Sequence, residues 1–460
     1  MTTASHPPTA TNPYLAGNFA PILEETTAFD LRISGSLPAE LDGRLLRIGP
    51  NPPGLADPER HHWFIGSGMT HGVRLRDGSA EWYRSRYVID DEVVRALGRA
   101  PLSGPHHGMG GGGANTNVIG IGGRTFAIVE AGSLPVELTD ELECIARNDF
   151  DGTLPGSFTA HPKVDPDTGD LHAVVYYWEW DYVQYVVVGA DARVKHTANI
   201  AVPGKPMTHD CAISASQVVV FDLPCTFDLE MAMSGPTLPY RWTPDYGARV
   251  GLIPKFGSAD EVRWCELDEP CYVYHPMNAV DQADGTVVME AVVHPSTFAD
   301  DLRGPNEGGT TFERWTIDPK AGRVRRAVLD DTSQEFPRHH EGLIGKPYRY
   351  GYAAQFDSIG PNESLRLGSL LKHDLANGTT ERHEVGAGRA SNEAVFVPRV
   401  GADAEDDGWV LAYVYDGATD TSDIIVVDAQ DFTGEPVARV HLPVRVPFGF
   451  HGNWVPTARV

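Results

Sequence analysis

Short apolar runs separated by turn residues follow one another along most of the chain. The runs are rich in β-branched and aromatic residues and are bounded by Gly, Pro or Asp, as expected for β-strands. The clearest of them are Leu171–Trp178, Tyr182–Gly189, Gln217–Asp222, Thr286–Val293, Phe312–Ile317, Trp409–Tyr415 and Asp423–Asp428. Helical spacing of apolar residues is found only near Asp90–Gly98. The pattern therefore predicts a mostly β protein.

Several of these runs are arranged as repeated hairpins. Segments such as "TIDPKAGRVRRAVL" and "VVDAQDFTGEPVARVHL" contain an apolar strand, a turn that includes Asp, and a second strand. Consecutive hairpins that pack radially form a β-propeller, whose blades are four-stranded antiparallel sheets. The repeats are too irregular for the blades to be counted from their spacing. A double β-sandwich is the alternative fold.

The length of the chain also favours a repetitive architecture. Its 460 residues exceed the size at which a single compact core normally stops growing. The 48 Gly and 35 Pro are spread along the whole length, and no segment resembles a linker. We therefore expect one domain over residues 13–460. Residues 1–12, which are rich in Ser, Thr, Pro and Ala, are predicted to form a disordered tail.

The charge of the chain excludes some classes of partner. A formal net charge of −26 argues against nucleic acid, because binding to phosphates requires clusters of Lys and Arg. An anionic membrane surface is disfavoured for the same reason. No window approaches the roughly 20 apolar residues of a membrane span, and the start of the chain does not have the pattern of a signal peptide. We therefore predict a cytoplasmic protein.

The five cysteines give no sign of a disulfide framework, because they are odd in number and form no CxxC pair. We interpret them as reduced core residues. Cys211 is the one whose position suggests a further role, since it follows His209 by two residues.

Histidine is the most informative residue type, with 18 copies. Four of them lie beside β-like runs and next to Pro, Gly, Asp or aromatic residues: His161, His209, His275 and His451. They are separated by 48, 66 and 176 residues, so one local loop cannot bring them together. In a propeller, the innermost strand of each blade could direct one imidazole to the central axis, where four would hold a first-row metal ion. The alternative is four unrelated histidines with local hydrogen bonds.

Carboxylates next to such a site would orient the imidazoles by accepting their distal N–H groups, and would offset the charge of the ion. Glu130, Glu335 and Glu393 are candidates, because each adjoins an apolar run in which burial is expected. An isolated glutamate among 63 acidic residues is ordinarily a solvated surface group, so only the flanking runs distinguish these three.

An ordered series of motifs resembles the carotenoid cleavage oxygenase family, which includes the retinoid isomerase of the retinal pigment epithelium and the lignostilbene dioxygenases. The motifs cover nearly the whole chain. They are "NPYLAGNFAPI", "LRIGPNP", "HHWFIGSGMTHG", "ANTNV", "FDGTL", "TAHPKVDPDTG", "CYVYHPMNA", "EFPR" and "GFHGNWV".

The resemblance implies a seven-bladed β-propeller with loops that cap one face over an axial iron site. By motif, the iron ligands correspond to His161, His209, His275 and His451, and the glutamates behind them to Glu130, Glu335 and Glu393. The implied activity is that of a non-haem Fe(II) dioxygenase, which uses O₂ to cleave a conjugated carbon–carbon double bond of a carotenoid or apocarotenoid into two aldehydes.

Departures from the family pattern leave alternatives open. Family members that cleave lignostilbene or isoeugenol have a lysine before the first glutamate, and Val129 stands there, which weakens the case for a stilbenoid or phenylpropene substrate without removing it. A retinoid or carotenoid isomerase, or a binding protein, is a further alternative. The segment "CTFDLEMAMSGPTLP" is shorter than the apolar insertion of membrane-associated relatives, so at most weak peripheral membrane contact is expected. Ser67 replaces a common Asp and suggests no role, and the oligomeric state is not predicted.

Overall fold

The computed structural model describes residues 12–55, 57–108, 111–235, 238–305, 307–357 and 366–457. The predicted tail lies outside these residues except for Asn12, which is buried and donates hydrogen bonds from its side chain to the carbonyls of Pro58 and His61.

Strands are the main regular secondary structure of the described chain. In the first half they are β1 (Thr27–Phe29), β2 (Ile33–Gly35), β3 (Gly43–Pro50), β4 (Gly68–Arg76), β5 (Ser79–Tyr87), β6 (Asn117–Ile121), β7 (Arg124–Ile128), β8 (Val136–Leu138), β9 (Cys144–Arg147), β10 (Lys163–Val164), β11 (Leu171–Val175), β12 (Tyr182–Val188), β13 (Val194–Ala201), β14 (Cys211–Ile213), β15 (Gln217–Asp222), β16 (Cys225–Phe227) and β17 (Tyr240–Trp242).

The second half continues in the same way. Its strands are β18 (Arg249–Pro254), β19 (Arg263–Glu266), β20 (Pro276–Asp281), β21 (Val287–Val293), β22 (Thr311–Asp318), β23 (Arg323–Asp330), β24 (Gln334–His339), β25 (Tyr350–Asp357), β26 (Arg366–Asp374), β27 (Thr379–His383), β28 (Arg389–Ser391), β29 (Val395–Pro398), β30 (Gly408–Asp416), β31 (Thr421–Asp428), β32 (Ala438–His441) and β33 (Gly452–Pro456).

Helices are short in the described residues. The α-helices are α1 (Asp91–Leu97) and α2 (Leu229–Met233), and single 3₁₀ turns lie at Pro13–Leu15, Gly17–Phe19, Pro244–Tyr246, Ala259–Glu261, Glu341–Leu343 and Ala429–Asp431. The side chain of Asp90 caps the start of α1, and Gly98 ends it with a left-handed φ of 65°. No helix in this part of the chain is long and apolar enough to cross a membrane.

The strands are arranged in consecutive antiparallel meanders. Five sheets of four to six strands have the orders β1-β5-β4-β3-β33, β6-β7-β8-β9, β10-β11-β12-β13, β24-β25-β26-β27 and β2-β32-β31-β30-β28, with β29 also paired to β30. A further sheet has eight strands in the order β14-β15-β18-β19-β23-β22-β21-β20, and β16 and β17 form a two-stranded ribbon.

The prediction of an all-β propeller is confirmed. The prediction of seven like blades is not met by the hydrogen-bonded sheets, because one parallel pair, Glu266 with Arg323, joins two four-stranded meanders into the eight-stranded sheet. The predicted strands are found, with β15 coinciding with the run Gln217–Asp222.

The hydrophobic core lies in sectors between neighbouring sheets. One sector packs Val73 and Tyr83, from the sheet that contains β4 and β5, against Leu411 and Val440, from the sheet that contains β30 and β32. The ring closes where β33 pairs with β3 across more than 400 residues of sequence, with Gly43 opposite Pro456 and Arg47 opposite Gly452. Closure thereby joins two strands that are far apart in the sequence and places β33 at the edge of its sheet.

Candidate metal centre and its two cavities

The four predicted histidines occupy equivalent places in the fold. Each lies one or two residues before an edge strand of its sheet: His161 precedes β10, His209 precedes β14, His275 precedes β20 and His451 precedes β33. The edge strands face one another across the axis of the ring. The same position in four meanders therefore directs four imidazoles to one point, as the sequence predicted.

The four imidazoles form one compact buried cluster. Each of the four side chains offers a nitrogen, and these atoms all lie within 4.8 Å of one another. The ring centroids of His161 and His209 are 4.2 Å apart, and those of His275 and His451 are 4.7 Å apart. The Nε2 atoms of His209 and His275 are separated by 3.2 Å.

All three predicted glutamates lie behind this cluster. Glu130 Oε1 is 2.8 Å from Nδ1 of His209. Glu335 Oε2 is 2.6 Å from Nδ1 of His275, and Glu393 Oε1 is 2.9 Å from Nδ1 of His451. A carboxylate at Nδ1 holds the imidazole proton on that atom, so the Nε2 lone pair is left free. The hydrogen-bond network thereby assigns the tautomers of His275 and His451, and the 2.8 Å contact with Glu130 favours the same tautomer in His209.

The donor set fits a divalent first-row metal ion. Imidazole ligands bound at about 2.1 Å place neighbouring nitrogens about 3–4 Å apart. The Nε2 atoms of His209 and His275, 3.2 Å apart, have this spacing, and all four nitrogens lie within 4.8 Å of one another. The Nε2 atom of His161 is buried and has no hydrogen-bond partner among the described residues. Nε2 lone pairs of His209 and His275 that face each other at 3.2 Å would repel, and a cation between them removes this conflict.

Burial shapes the charge of the site. It lowers the pKa of His275 to about 3 despite the nearby carboxylate, and together with the neighbouring imidazoles it holds the pKa of His161 well below its usual value. Burial opposes ionisation of Glu393, but Arg338 and His451 lower its pKa to about 2. For His209 burial also lowers the pKa, but Glu130 outweighs it and leaves the pKa raised. Burial thus favours the neutral, metal-binding form of His161 and His275, and the donors around Glu393 favour its ionised form.

A β-bulge positions one glutamate and an adjacent ring. The register of β24 against β25 shifts between Glu335 and Arg338, and Phe336 adopts a left-handed φ of 55°. Its N–H donates to Glu335 Oε2, and its ring stacks on His275 with the centroids 5.5 Å apart. A left-handed phenylalanine is costly, and such strain is typical of functional sites.

One side of the cluster is open to an apolar cavity of about 230 Å³. His209, His275 and His451 lie in its wall. The rest of the wall is mainly aromatic and aliphatic and includes Phe64, Val129, Trp178, Tyr240, Tyr274 and Phe336. A conjugated hydrocarbon is the kind of molecule that such a surface binds.

A second cavity, of about 790 Å³, approaches the cluster from a different side. Its wall includes His161, His275 and His451 but not His209, and it is rich in charged residues such as Arg44, Lys163, Asp210 and Arg338. The cluster therefore lies between an apolar cavity and a polar one.

Sequence reasoning missed the outer partners of the glutamates. Glu130 Oε2 accepts from the hydroxyl of Tyr176 at 2.9 Å, Glu335 Oε1 is 2.9 Å from Nε2 of His294, and Glu393 Oε1 accepts from Arg338 at 2.9 Å. Arg338 lies in the "EFPR" motif itself, which was the available signal. Tyr176 and His294 each follow a strand closely, but nothing in the sequence separates them from other residues of their type.

Cys211 does not join the cluster. All five cysteines are free, and Cys211 is buried, with burial raising the pKa of its thiol to about 12. Its Sγ lies 3.9 Å from the carbonyl oxygen of His161. The interpretation of Cys211 as a reduced core residue agrees with this position. The hydroxyl of Ser67 donates to Asp90, the cap of α1.

Comparison with known proteins identifies the family. The family model described as retinal pigment epithelial membrane protein, RPE65, matches residues 19–456. A relative named carotenoid cleavage oxygenase, from Mycobacterium tuberculosis, is 42% identical over 97% of this chain and 98% of its own length. The chain belongs to the carotenoid cleavage oxygenase family. The resemblance seen in the sequence is thereby confirmed.

Solved structures of other members of the carotenoid cleavage oxygenase family share this fold. A lignostilbene dioxygenase from Pseudomonas brassicacearum is 30% identical with a TM-score of 0.86, and the match covers 99% of this chain and 100% of that one. Cobalt-substituted ACO from Synechocystis is 25% identical with a TM-score of 0.84, covering 95% and 97% of the two chains.

Proposed function

We propose that this protein is a non-haem Fe(II) dioxygenase that uses O₂ to split a conjugated carbon–carbon double bond of a carotenoid or apocarotenoid into two aldehydes. The observation that carries the proposal is the cluster of four buried imidazoles in the wall of an apolar cavity. The relative from Mycobacterium tuberculosis, named a carotenoid cleavage oxygenase, supports it.

In this proposal His161, His209, His275 and His451 hold the iron. Bound Fe(II) would supply the electrons that activate O₂. Glu130, Glu335 and Glu393 keep the Nδ1 protons in place, so three rings present Nε2 to the ion. We also propose seven blades, which follow if the eight-stranded sheet is divided at its single parallel pair, with loops capping the face above the iron.

The walls of the apolar cavity would position the substrate and exclude water. Phe64 and Tyr274 pack edge to face beside His209, and Phe336 covers His275. Flat conjugated chains bind well between such rings, because aromatic contacts fix their orientation at a small entropic cost. The chain's own contribution to catalysis is thus the placement of one double bond next to the imidazole cluster.

The size of the cavity bears on the length of the substrate. Its volume of about 230 Å³ lies below the roughly 300–1,000 Å³ of pockets that enclose a drug-sized ligand. A long polyene would therefore insert one segment and leave the rest outside. A stilbenoid or phenylpropene would fit more completely, which makes cleavage of such a compound the second candidate. The similarity to a lignostilbene dioxygenase favours this candidate, and the apolar Val129 in the cavity wall opposes it.

We further propose the following organisation and location for the protein. Residues 13–460 form one catalytic domain, the protein acts in the cytoplasm, and its contact with membranes is at most weak and peripheral. In the segment between β16 and β17, Leu229 and Met233 are exposed on the five-residue helix α2, which is a small apolar surface for a membrane.

Iron analysis and a substrate panel test the function. Purified protein is assayed for iron and then supplied with apocarotenals, β-carotene, resveratrol and isoeugenol under ¹⁸O₂, and the products are identified by mass spectrometry. We expect bound iron and ¹⁸O-labelled aldehydes from wild type and neither from His275→Ala. Both are expected from His441→Ala, because His441 lies outside the cluster, on β32, with its Nδ1 2.8 Å from Asp423 on β31. Products of unchanged carbon number would indicate an isomerase, and bound but unchanged polyene a binding protein; either result would overturn the proposal.

A further inference from the structure

His161 differs from the other three imidazoles in the surroundings of its Nδ1 atom. In His209, His275 and His451 this atom lies 2.6–2.9 Å from a glutamate oxygen. The carboxylate that approaches His161 Nδ1 is that of Asp210, whose Oδ2 is 3.9 Å away. This distance is too long for a hydrogen bond. Among the described residues, His161 is thus the cluster histidine that no carboxylate orients.

Other donors occupy both oxygens of the Asp210 carboxylate. The ammonium of Lys163 donates to Oδ2 at 2.8 Å, and the backbone N–H of Cys211 donates to Oδ1 at 2.6 Å. Asp210 is almost fully buried, with a side chain that is 1% exposed, whereas that of Lys163 is 23% exposed in the polar cavity. The ammonium therefore competes with the imidazole N–H of His161 for the same oxygen.

The competition matters because a carboxylate at the distal N–H makes an imidazole a stronger metal ligand. Glu130, Glu335 and Glu393 provide this support to three rings. Asp210 lies close enough to provide it to the fourth, but its charge is neutralised by Lys163 at shorter range. A buried carboxylate that lost its cation would turn to the nearest remaining donor, because an unpaired buried charge is costly.

We propose that Lys163 is a positioning residue that holds Asp210 away from His161 and so keeps His161 the most weakly supported of the four metal ligands. The proposal rests on the metal site proposed above. It implies that the protein binds its metal ion less tightly than it would if Asp210 accepted a hydrogen bond from His161. The residue responsible for this difference is Lys163, which lies in the wall of the polar cavity.

Cobalt(II) affinity provides the test, because it is measured without substrate. Metal-free protein is titrated with Co²⁺ against a competing chelator. We expect Lys163→Met to bind Co²⁺ about tenfold more tightly than wild type, at the lower end of the effect of outer partners on metal affinity. Lys163→Arg, which keeps the pair, and the double variant Lys163→Met with Asp210→Asn, which removes it, should match wild type.

A matched control separates this effect from the general loss of a lysine. Lys255 forms a similarly short pair with Asp165, at 2.7 Å, and neither residue belongs to the cluster. Lys255→Met should leave the Co²⁺ affinity unchanged. A tighter affinity in Lys255→Met equal to that in Lys163→Met would overturn the proposal, because the effect would then be one of net charge alone.

Nuclear magnetic resonance of the zinc-loaded protein, labelled with ¹⁵N in histidine, gives a second readout. Lys163→Met should show one more hydrogen-bonded Nδ1–H than wild type, and the double variant should not. If Lys163→Met does not fold, Lys163→Leu, whose side chain likewise cannot donate to Asp210, takes its place with the same expected results. Equal affinity and equal spectra for wild type and the Lys163 variant overturn this inference alone, whereas a wild-type protein that binds no Co²⁺ overturns the proposed function as well.

Discussion

His275 and His294 share one carboxylate, that of Glu335. Nδ1 of His275 lies 2.6 Å from Oε2, and Nε2 of His294 lies 2.9 Å from Oε1. Burial opposes ionisation of Glu335, but the two imidazoles lower its pKa. The carboxylate is thus held on both sides, and it fixes the orientation of His275 against the other three histidines.

Removing the charge of this carboxylate should weaken the metal site. In Glu335→Gln the amide can still accept from one imidazole, but it carries no charge to support His275. We expect the affinity for Fe²⁺ or Co²⁺ to fall by about 10–100-fold. Chelator competition measures the change. Glu381→Gln, on the exposed strand β27, is the control and should not differ from wild type.

Metal removal should lower the thermal stability. The four histidines precede edge strands of three different sheets, so an ion bound to all of them links parts of the ring that are far apart in the chain. A ligand at 100 times its Kd stabilises the folded state by about 2.7 kcal/mol. Differential scanning calorimetry should show a Tm that falls after chelation and returns with added Fe²⁺. In His275→Ala added metal should have little effect, and a full response there would contradict the four-histidine site.

Substitution of Val129 should alter the choice between substrates. Val129 lies in the wall of the apolar cavity, next to Glu130. A lysine there would offer a cation to a phenol and would place a charge against a hydrocarbon chain, which is unfavourable in an apolar site. We expect Val129→Lys to lower kcat/KM for apocarotenals and to raise it for 4-hydroxystilbenes relative to wild type. Val129→Leu should keep the wild-type order, and an unchanged ratio in Val129→Lys would show that this position does not select the substrate.

A buried carboxylate in the eight-stranded sheet predicts a pH dependence of stability. Glu313 accepts hydrogen bonds from Arg326 at 2.7 and 2.8 Å and from the indole of Trp315 at 2.8 Å. Burial raises the pKa of Glu313, but these donors outweigh it and hold the pKa below the usual value of 4.5. The carboxylate therefore stabilises the fold above about pH 4.5, and this contribution is lost as the pH falls through the lowered pKa.

The variant Glu313→Gln should be destabilised by about 1–3 kcal/mol at pH 7, the usual contribution of hydrogen bonds to a charged group. Urea unfolding at a series of pH values should show the difference from wild type shrinking below about pH 4.5. Glu266→Gln, at an exposed position of β19, should show neither effect. A difference that stayed constant down to pH 3 would contradict the role given to the charge.

Local features of the fold could be predicted from the sequence because local physics decides them. The helix α1 has an Asp cap before it and a left-handed Gly after it, and both signals are visible in the printed sequence. The run Gln217–Asp222 is β-branched and bounded by polar residues, and it forms β15 with the predicted bounds. The four histidines were found because they share a local setting that the family motifs made specific.

Long-range pairing could not be predicted in this way. All eight residues of β3 are buried, so no alternation of polar and apolar residues reveals its neighbours, and its pairing with β33 depends on closure of the whole ring. The parallel pair of Glu266 and Arg323, which joins two meanders, likewise depends on the packing of strands that are distant in the sequence. The contact between His294 and Glu335 depends on the β-bulge in β24, and the spacing of these residues in the sequence does not indicate that bulge.

Closure of the ring by β33 also sets the order in which the protein can mature. His451 directly precedes this strand and is synthesised 290 residues after His161. A nascent chain on the ribosome therefore has three of the imidazoles long before it has the fourth, and it lacks the strand that closes the ring. The complete binding site cannot form until His451 has been synthesised and β33 has paired with β3, so an ion cannot reach all four imidazoles before the ring has closed.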